Sequence, residues 1–180
     1  MAVVDLRPLP VTRDPGRRVS QLLCGLVLYA MSMAMQIRSG LGLNPWDVLH
    51  EGLDRQTPLS FGVVTGITGV IVLLLWIPLR QRPGIGTVAN VVVIAATVDV
   101  AIAVLPEPDA LLARIALLVG GVVLNGVATA AYVGARLGPG PRDGLMTGLS
   151  ARTGRSVRLV RTCIEVAVLA GGWLLSLIHI

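Results

Sequence analysis

The sequence contains no lysine, and charged residues fill only 14% of its 180 positions. A soluble domain carries about 25% charge, so this chain has too few charges to wet a globular surface. Aromatic residues make up 3%, which leaves the apolar mass to Leu, Val, Ala, Ile and Gly. Disorder is excluded as well, because it needs low hydrophobicity and 54% of the residues here are hydrophobic. The two cysteines, Cys24 and Cys163, stand far apart in separate apolar runs. That is not a zinc or redox spacing, and each reads as a small hydrophobe. Also missing are the His-Glu-x-x-His, Gly-x-Ser-x-Gly and phosphate-loop patterns of common enzymes. No catalytic residue, metal or cofactor is expected, and the chain is not expected to be an enzyme. His50 stands alone in a polar stretch, and His179 lies near the end.

All 15 basic residues are therefore Arg, and the net charge is +5. A basic chain invites a nucleic-acid reading. Here the Arg residues cluster at the ends of apolar runs, where they set membrane orientation, and no solvated domain is left to carry a basic face. The expected fold class is all-α, a polytopic helical membrane protein in contact with the lipid bilayer. Five spans are expected, over 19–37, 59–79, 87–105, 115–135 and 163–180. A complete run of about 20 residues at 1.5 Å per residue crosses a hydrocarbon core of roughly 30 Å. The tail, 1–18, is polar and rich in Arg and Pro. The first run is too long for the apolar stretch of a cleaved signal peptide.

A cytoplasmic N-terminus puts 12 Arg on inside segments and leaves only Arg38, Arg55 and Arg114 outside. The positive-inside rule selects that orientation. The acidic stretch Pro106-Glu107-Pro108-Asp109 then falls outside.

The sequence also matches itself at an offset of 96 residues. Leu41, Gly42, Pro45, Asp47, Leu49, Gly52 and Leu53 fall on Leu137, Gly138, Pro141, Asp143, Leu145, Gly148 and Leu149. Roughly a third of the positions between Leu22 and Trp76 are identical without a gap. Composition bias can align Leu and Val, but not Pro, Asp and the glycines of one loop, so the chain reads as a duplication. The repeat unit is three spans, 19–110 and then 111–180. An odd unit forces the second copy to enter from the other side, so the halves are inverted. The second copy lacks an equivalent of the third span, and a sixth span is expected in a complete protein. The tail from Ser176 to Ile180 matches nothing in the first copy and reads as a foreign remnant.

The loop from Gly40 to Leu53, the segment Trp76-Ile77-Pro78-Leu79, the turn Arg82-Pro83-Gly84-Ile85-Gly86-Thr87 and the loop from Gly138 to Met146 together resemble the YczE/YyaS/YitT-type bacterial membrane proteins. The likeness is strongest to the YczE branch and covers about residues 17–175. It implies a multi-pass protein of the bacterial inner membrane and carries over no catalytic residue. Members of that branch continue into another glycine-containing turn and span.

The candidate solute or ion path is carried by acids and amides inside or between spans. Asp99 lies within the third span, where a carboxylate costs about 2.5–3.5 kcal/mol on the insertion scale. It either faces a cavity or path, or reaches the outer interface or bonds a neighbouring helix. Asp47 and Asp143 occupy equivalent places beside Pro45 and Pro141. They read as gate or coupling groups at breaks in the helices, or as caps of short interfacial helices such as 47–54. Arg142 beside Asp143 suggests a local ion pair. Glu165 reads as an ion-pair partner of Arg161 or as a second proton-carrying carboxylate. Asn90 and Asn125 suit helix–helix hydrogen bonds. Pro83, Gly84, Gly86 and Thr87 form a tight turn with Thr as the cap, or an anion nest. Gly42, Gly52, Gly138 and Gly148 mark the paired loops. Gly62 and Gly66 give a helix-contact face, and Trp46, Trp76 and Trp173 read as interfacial anchors.

Two functions fit these residues. One is a small-solute or ion transporter with a site between inverted halves. In that reading Asp99→Asn abolishes flux. The other is a membrane partner, without transport, that assists another complex. Homodimerisation is compatible with either.

Overall fold

The computed structural model describes residues 14–177. The N-terminal tail through Arg13 and the last three residues, including His179, lie outside the described residues. Eight helices follow one another and no strand is present among the described residues. They are α1 (Pro15–Ser39), α2 (Pro45–Gln56), α3 (Phe61–Leu74), α4 (Trp76–Leu79), α5 (Ile85–Val104), α6 (Leu111–Gly134), α7 (Pro141–Thr153) and α8 (Val157–Leu177).

Four of the described helical segments are long and apolar enough to cross a membrane: Pro15–Ser39, Phe61–Leu79, Ile85–Val104 and Leu111–Gly134. Four of the five expected spans are thus present with shifted ends, and α8, over the residues of the fifth, is not among them. The first begins at Pro15, whose ring suits the first helical turn, and ends where Gly40 takes a left-handed φ of 58°. The second is broken at Leu75 into α3 and α4. Pro78 removes a backbone donor there, and Arg80 closes the last turn in the left-handed region, its amide bonding to Ile77 O. The expected fifth span corresponds to α8, which starts six residues earlier than its apolar run because Arg158 and Arg161 lie on its first turns.

Large apolar side chains stay exposed along the outer faces, with Val104 at 71% and Leu112 at 80%. Water does not tolerate such faces over four long helices, whereas lipid does. The protein is a multi-pass membrane protein whose spans contact the bilayer.

The spans α1 and α6 form the central pair, and α5 packs on α1 and on α3. The core there joins Leu22, Leu26 and Met33 of α1 to Ile94 and Val98 of α5 and Tyr132 of α6. A second core gathers Trp46, Val72, Trp76 and Leu145. The short helices α2 and α7 complete it. Helix α2 lies on α8 and α3, and α7 lies on α3, α4 and α8.

The short helices pack within the bundle. The chain leaves α1 at Gly40 and turns back into the bundle, so that Asn44 and Pro45 border a groove with Tyr29 of α1 and Asn125 of α6. Helix α2 then runs back along α8 until the Gln56 side chain donates to Leu175 O. Asp47 and His50 on α2 have no exposed surface. The cap of α2 is Asn44, whose Oδ1 accepts from Asp47 N at 3.3 Å. Asp47 sits one turn further on, in the first turn of the helix. Glycine explains how α2 lies so close to α8. A Cβ on Gly172 would come within 2.6 Å of Leu49 N, and one on Gly52 within 3.0 Å of Gly172 O.

Candidate functional site

The N-terminal ends of α2 and α7 meet at a cavity of about 80 Å³. Its polar lining comes from Tyr29, His50, Thr65, Asn90, Tyr132, and Arg142 with Asp143, and its apolar wall includes Met33, Val72 and Ile94. Trp46 lines it as well. A groove of about 380 Å³ adjoins it, with Arg142 and Asp143 on both linings and with Asn125, Arg161 and Glu165 further out.

Each short helix is aimed by its own sequence. Pro45 and Pro141 occupy the first turn of α2 and α7, where a missing N–H is harmless. Asp47 and Asp143 follow in that same turn, where a carboxylate answers the positive helix end. Helix α2 has the Asn44 cap, whereas Gly140 gives α7 no side-chain cap. The segment leading into α7 is held by the turn before α5. Gly86 N donates to Leu137 O at 2.9 Å, and Thr87 Oγ1 donates to Pro139 O at 2.8 Å while accepting from Gly84 N at 3.2 Å. Thr87 is wholly buried. Gly84 is the cap position of α5, and Thr87 lies three residues inside the helix. The motif therefore serves as a cradle for the chain entering α7. Gly138 adopts a φ of +135° there, which favours glycine.

The charged groups meet across the two loops. Arg142 does not pair with its neighbour Asp143; its nearest carboxylate oxygen is Asp47 Oδ1, at 3.9 Å. The guanidinium lies over the Trp46 ring, 4.8 Å from the centroid, a cation–π placement. Asp47 Oδ2 receives the Asn44 side-chain amide, and Asp47 Oδ1 faces His50 Nδ1 at 3.5 Å. His50 Nδ1 also lies 3.2 Å from Thr65 Oγ1, and the ring packs edge-on against Phe61. Tyr132 donates its hydroxyl to Asp143 Oδ2 at 3.2 Å and meets Tyr29 edge to face. Three buried polar atoms find no hydrogen bond among the described residues: Trp46 Nε1, Asp47 Oδ1 and His50 Nε2.

The structure thus brings Asp143 and Asn90 together on the cavity lining, with Asn125 and Glu165 along the groove; Asp47 is buried beside it and lines neither, 3.9 Å from Arg142. Asn125 donates to Ser32 Oγ at 3.0 Å, a helix–helix bond. Glu165 accepts from Arg161 Nε at 2.7 Å on the next turn.

Asp99 lies elsewhere. Its carboxylate accepts from Ser60 Oγ at 2.5 Å and from Gly62 N at 2.7 Å, so it holds the first turn of α3. Gly62 is required there, because a Cβ would come within 2.6 Å of Asp99 Oδ2. Beside it, burial first, and then the carboxylates of Asp99 and Glu51, push Asp54 above the usual carboxylate range.

Pro83 belongs to the loop before α5, Gly42 is exposed with open space around it, and Gly148 packs on Gln81. Trp46 and Trp76 are not interfacial anchors: they are 7% and 1% exposed, inside the second core. Trp173 is 61% exposed.

Three residues of the site were not legible as such in the sequence. His50 follows Asp47 by three residues, which places both on one face of α2. Tyr29 and Tyr132 are the only tyrosines and stand inside apolar runs, where a phenol needs a partner.

Among the described residues, no grouping of His, Cys, Asp and Glu is fit to hold a metal ion. Comparison with known proteins bears out the resemblance read from the loops. The chain is 33% identical over 151 residues to the membrane protein YczE of Bacillus subtilis, covering 83% of this chain and 70% of the relative. It is 37% identical over 160 residues to an uncharacterized protein of Haemophilus influenzae, covering 89% and 73%. The Bacillus subtilis protein YyaS is 25% identical over 144 residues, covering 78% and 72%. No solved structure matches the chain. Residues 16–180 match the family described as "Family of unknown function (DUF6198)", and the chain belongs to that family.

Proposed function

We propose that the protein is a small-solute or ion transporter of the bacterial inner membrane. It is built from inverted halves whose re-entrant helices α2 and α7 present one site from opposite sides. The observation that carries this reading is the convergence of both helix N-termini on a single cavity. Such broken segments at membrane depth are how inverted-repeat transporters bind solutes.

The packing supports the two-fold relation. Helices α1, α2 and α3 start at Pro15, Pro45 and Phe61, and α6, α7 and α8 start 96 residues later, at Leu111, Pro141 and Val157. Equivalent residues make equivalent contacts. Gly25 abuts Ala128 and Tyr132, and its counterpart Gly121 abuts Ser32 and Gln36, the counterparts of those two. Trp46 and Arg142 are themselves counterparts and stack on each other, which supports reading the cavity as lying at the axis between the halves. In this reading α8 is the fifth span, the Arg bias sets the N-terminus in the cytoplasm, and one half rocks against the other around the site.

The chain reconstituted in liposomes should show saturable flux of at least one solute from a panel of short carboxylates, chloride, sodium and methylammonium. Arg142→Gln should lower that flux at least about tenfold, because it removes the cation on the cavity lining. Asp99→Asn should leave it within about twofold and lower thermal stability instead, because Asp99 holds α3. Folded protein with no saturable flux across the panel would overturn the transport reading in favour of a membrane partner.

A further inference from the structure

We infer that the cavity where α2 and α7 meet binds a short aliphatic carboxylate, held by Arg142 and by Trp46. This names the substrate class of the site and rests on the transport reading above.

The cationic side is left open. The Arg142 guanidinium has five N–H donors in a planar fork, and among the described residues none of them makes a hydrogen bond. The Asp47 oxygen at 3.9 Å is beyond that distance. The side chain is 24% exposed, and that exposure is toward the cavity and the groove that it lines.

A second observation is independent of Arg142. Trp46 is 7% exposed, lines the cavity, and leaves its indole N–H without an acceptor. An indole N–H is only a donor, so the group that satisfies it must bring an acceptor.

The resident acids do not fill this role. Asp143 already receives the Tyr132 hydroxyl, and Asp47 receives Asn44 and faces His50. Each also sits in the first turn of its own helix, where its charge offsets that helix end. Arg142 remains as the cation without a hydrogen-bonded anion. A guanidinium fork matches the two oxygens of a carboxylate. Met33, Val72 and Ile94 offer the other end of the cavity an apolar surface, which suits a short alkyl group and gives chloride nothing. A cavity of about 80 Å³ has the volume of roughly three waters, which limits the chain to a few carbons.

The test is tryptophan emission of the purified chain in lipid nanodiscs, titrated with propionate, chloride and methylammonium. Propionate should change the emission saturably, and the other two should not at the same concentrations. Arg142→Gln should weaken propionate at least about tenfold. Arg142→Lys, which keeps the charge and loses the fork, should fall between the two and serves if the Gln variant does not fold. Saturation by methylammonium, saturation by chloride alone, or propionate affinity unchanged in Arg142→Gln or Arg142→Lys would overturn the assignment. Flux of a cation without propionate binding would remove the carboxylate and leave the transport reading standing. Propionate binding without flux of any solute would leave the site and remove transport.

Discussion

Arg18→Ala should lower the stability of the folded protein by about 3 kcal/mol, and Arg114→Ala by about 2 kcal/mol. Arg18 lies near the start of α1 and reaches across to the end of α6, where its Nε donates to Ala135 O at 2.9 Å and its Nη2 to Arg136 O at 3.0 Å. Arg114 does the same from the start of α6 to the end of α1, donating to Ser39 O at 2.7 Å and to Gly40 O at 2.9 Å. The last carbonyls of a helix have no intrahelical donor and carry its negative end. A charged donor there is worth more than a neutral one, about 1.5–3 kcal/mol per bond, and its loss leaves carbonyls bare. Arg18 is the larger of the two because it is buried, at 8% exposure, whereas Arg114 is partly open to solvent. The two clamps sit at opposite ends of the α1–α6 pair, roughly 30 Å apart for some 20 helical residues, so the double variant should be additive. Thermal midpoints and denaturant titrations in detergent would measure this. A Lys at either position should recover only part of the loss, because it lacks the fork. If both single variants leave the midpoint unchanged, the clamps contribute nothing and the α1–α6 pair is held by its apolar packing and its other hydrogen bonds, such as Asn125 to Ser32.

Gly144→Ala should be as damaging or worse, costing at least about 3 kcal/mol, the upper part of the range for overpacking. A Cβ at Gly144 would lie 2.0 Å from Trp76 Cζ2 and 2.3 Å from Cη2. The ring has nowhere to go. Trp76 is 1% exposed, and its Nε1 donates to Pro141 O at 3.0 Å, which ties it to the start of α7 itself. The added methyl must therefore move α7 away from α4, and with it Arg142 and Asp143. Gly126→Ala is the matched control. No atom lies within 4 Å of its added Cβ, and Ala is favoured over Gly inside a helix by about 1 kcal/mol. That variant should be neutral or slightly stabilising. A Gly144→Ala protein as stable as the parent would mean that α7 does not dock on Trp76 as described.

Much of this architecture was legible because lipid leaves a blunt record. Long apolar runs marked α1, α3, α5 and α6 to within a few residues. The repeated Pro and Asp marked α2 and α7, since their spacing survives where Leu and Val are interchangeable. The details that failed are tertiary. Nothing local distinguishes an interfacial Trp from a buried one, so Trp46 and Trp76 were misplaced until their neighbours were known. Asp99 drew attention by its depth in an apolar run, yet the partner that explains it, the first turn of α3, is 37 residues away for its Gly62 bond. His50 looked isolated because a polar loop and a helix turned back into the bundle have similar composition. Arg142 reads in the sequence as the partner of the residue beside it, whereas the fold turns it onto Trp46 of α2.

The claim that organises the account is that the two halves are inverted, so that α2 and α7 reach one cavity from opposite faces of the membrane. Cysteine labelling tests it directly. In a chain with Cys24 and Cys163 replaced, Arg55→Cys at the end of α2 and Arg155→Cys after α7 would each carry a single exposed thiol. A membrane-impermeant maleimide applied to intact cells should label one of these positions at once and the other only after permeabilisation. Arg55→Cys is expected to be the one reached from outside. Labelling of both positions from the same face would contradict the inversion and, with it, the shared site.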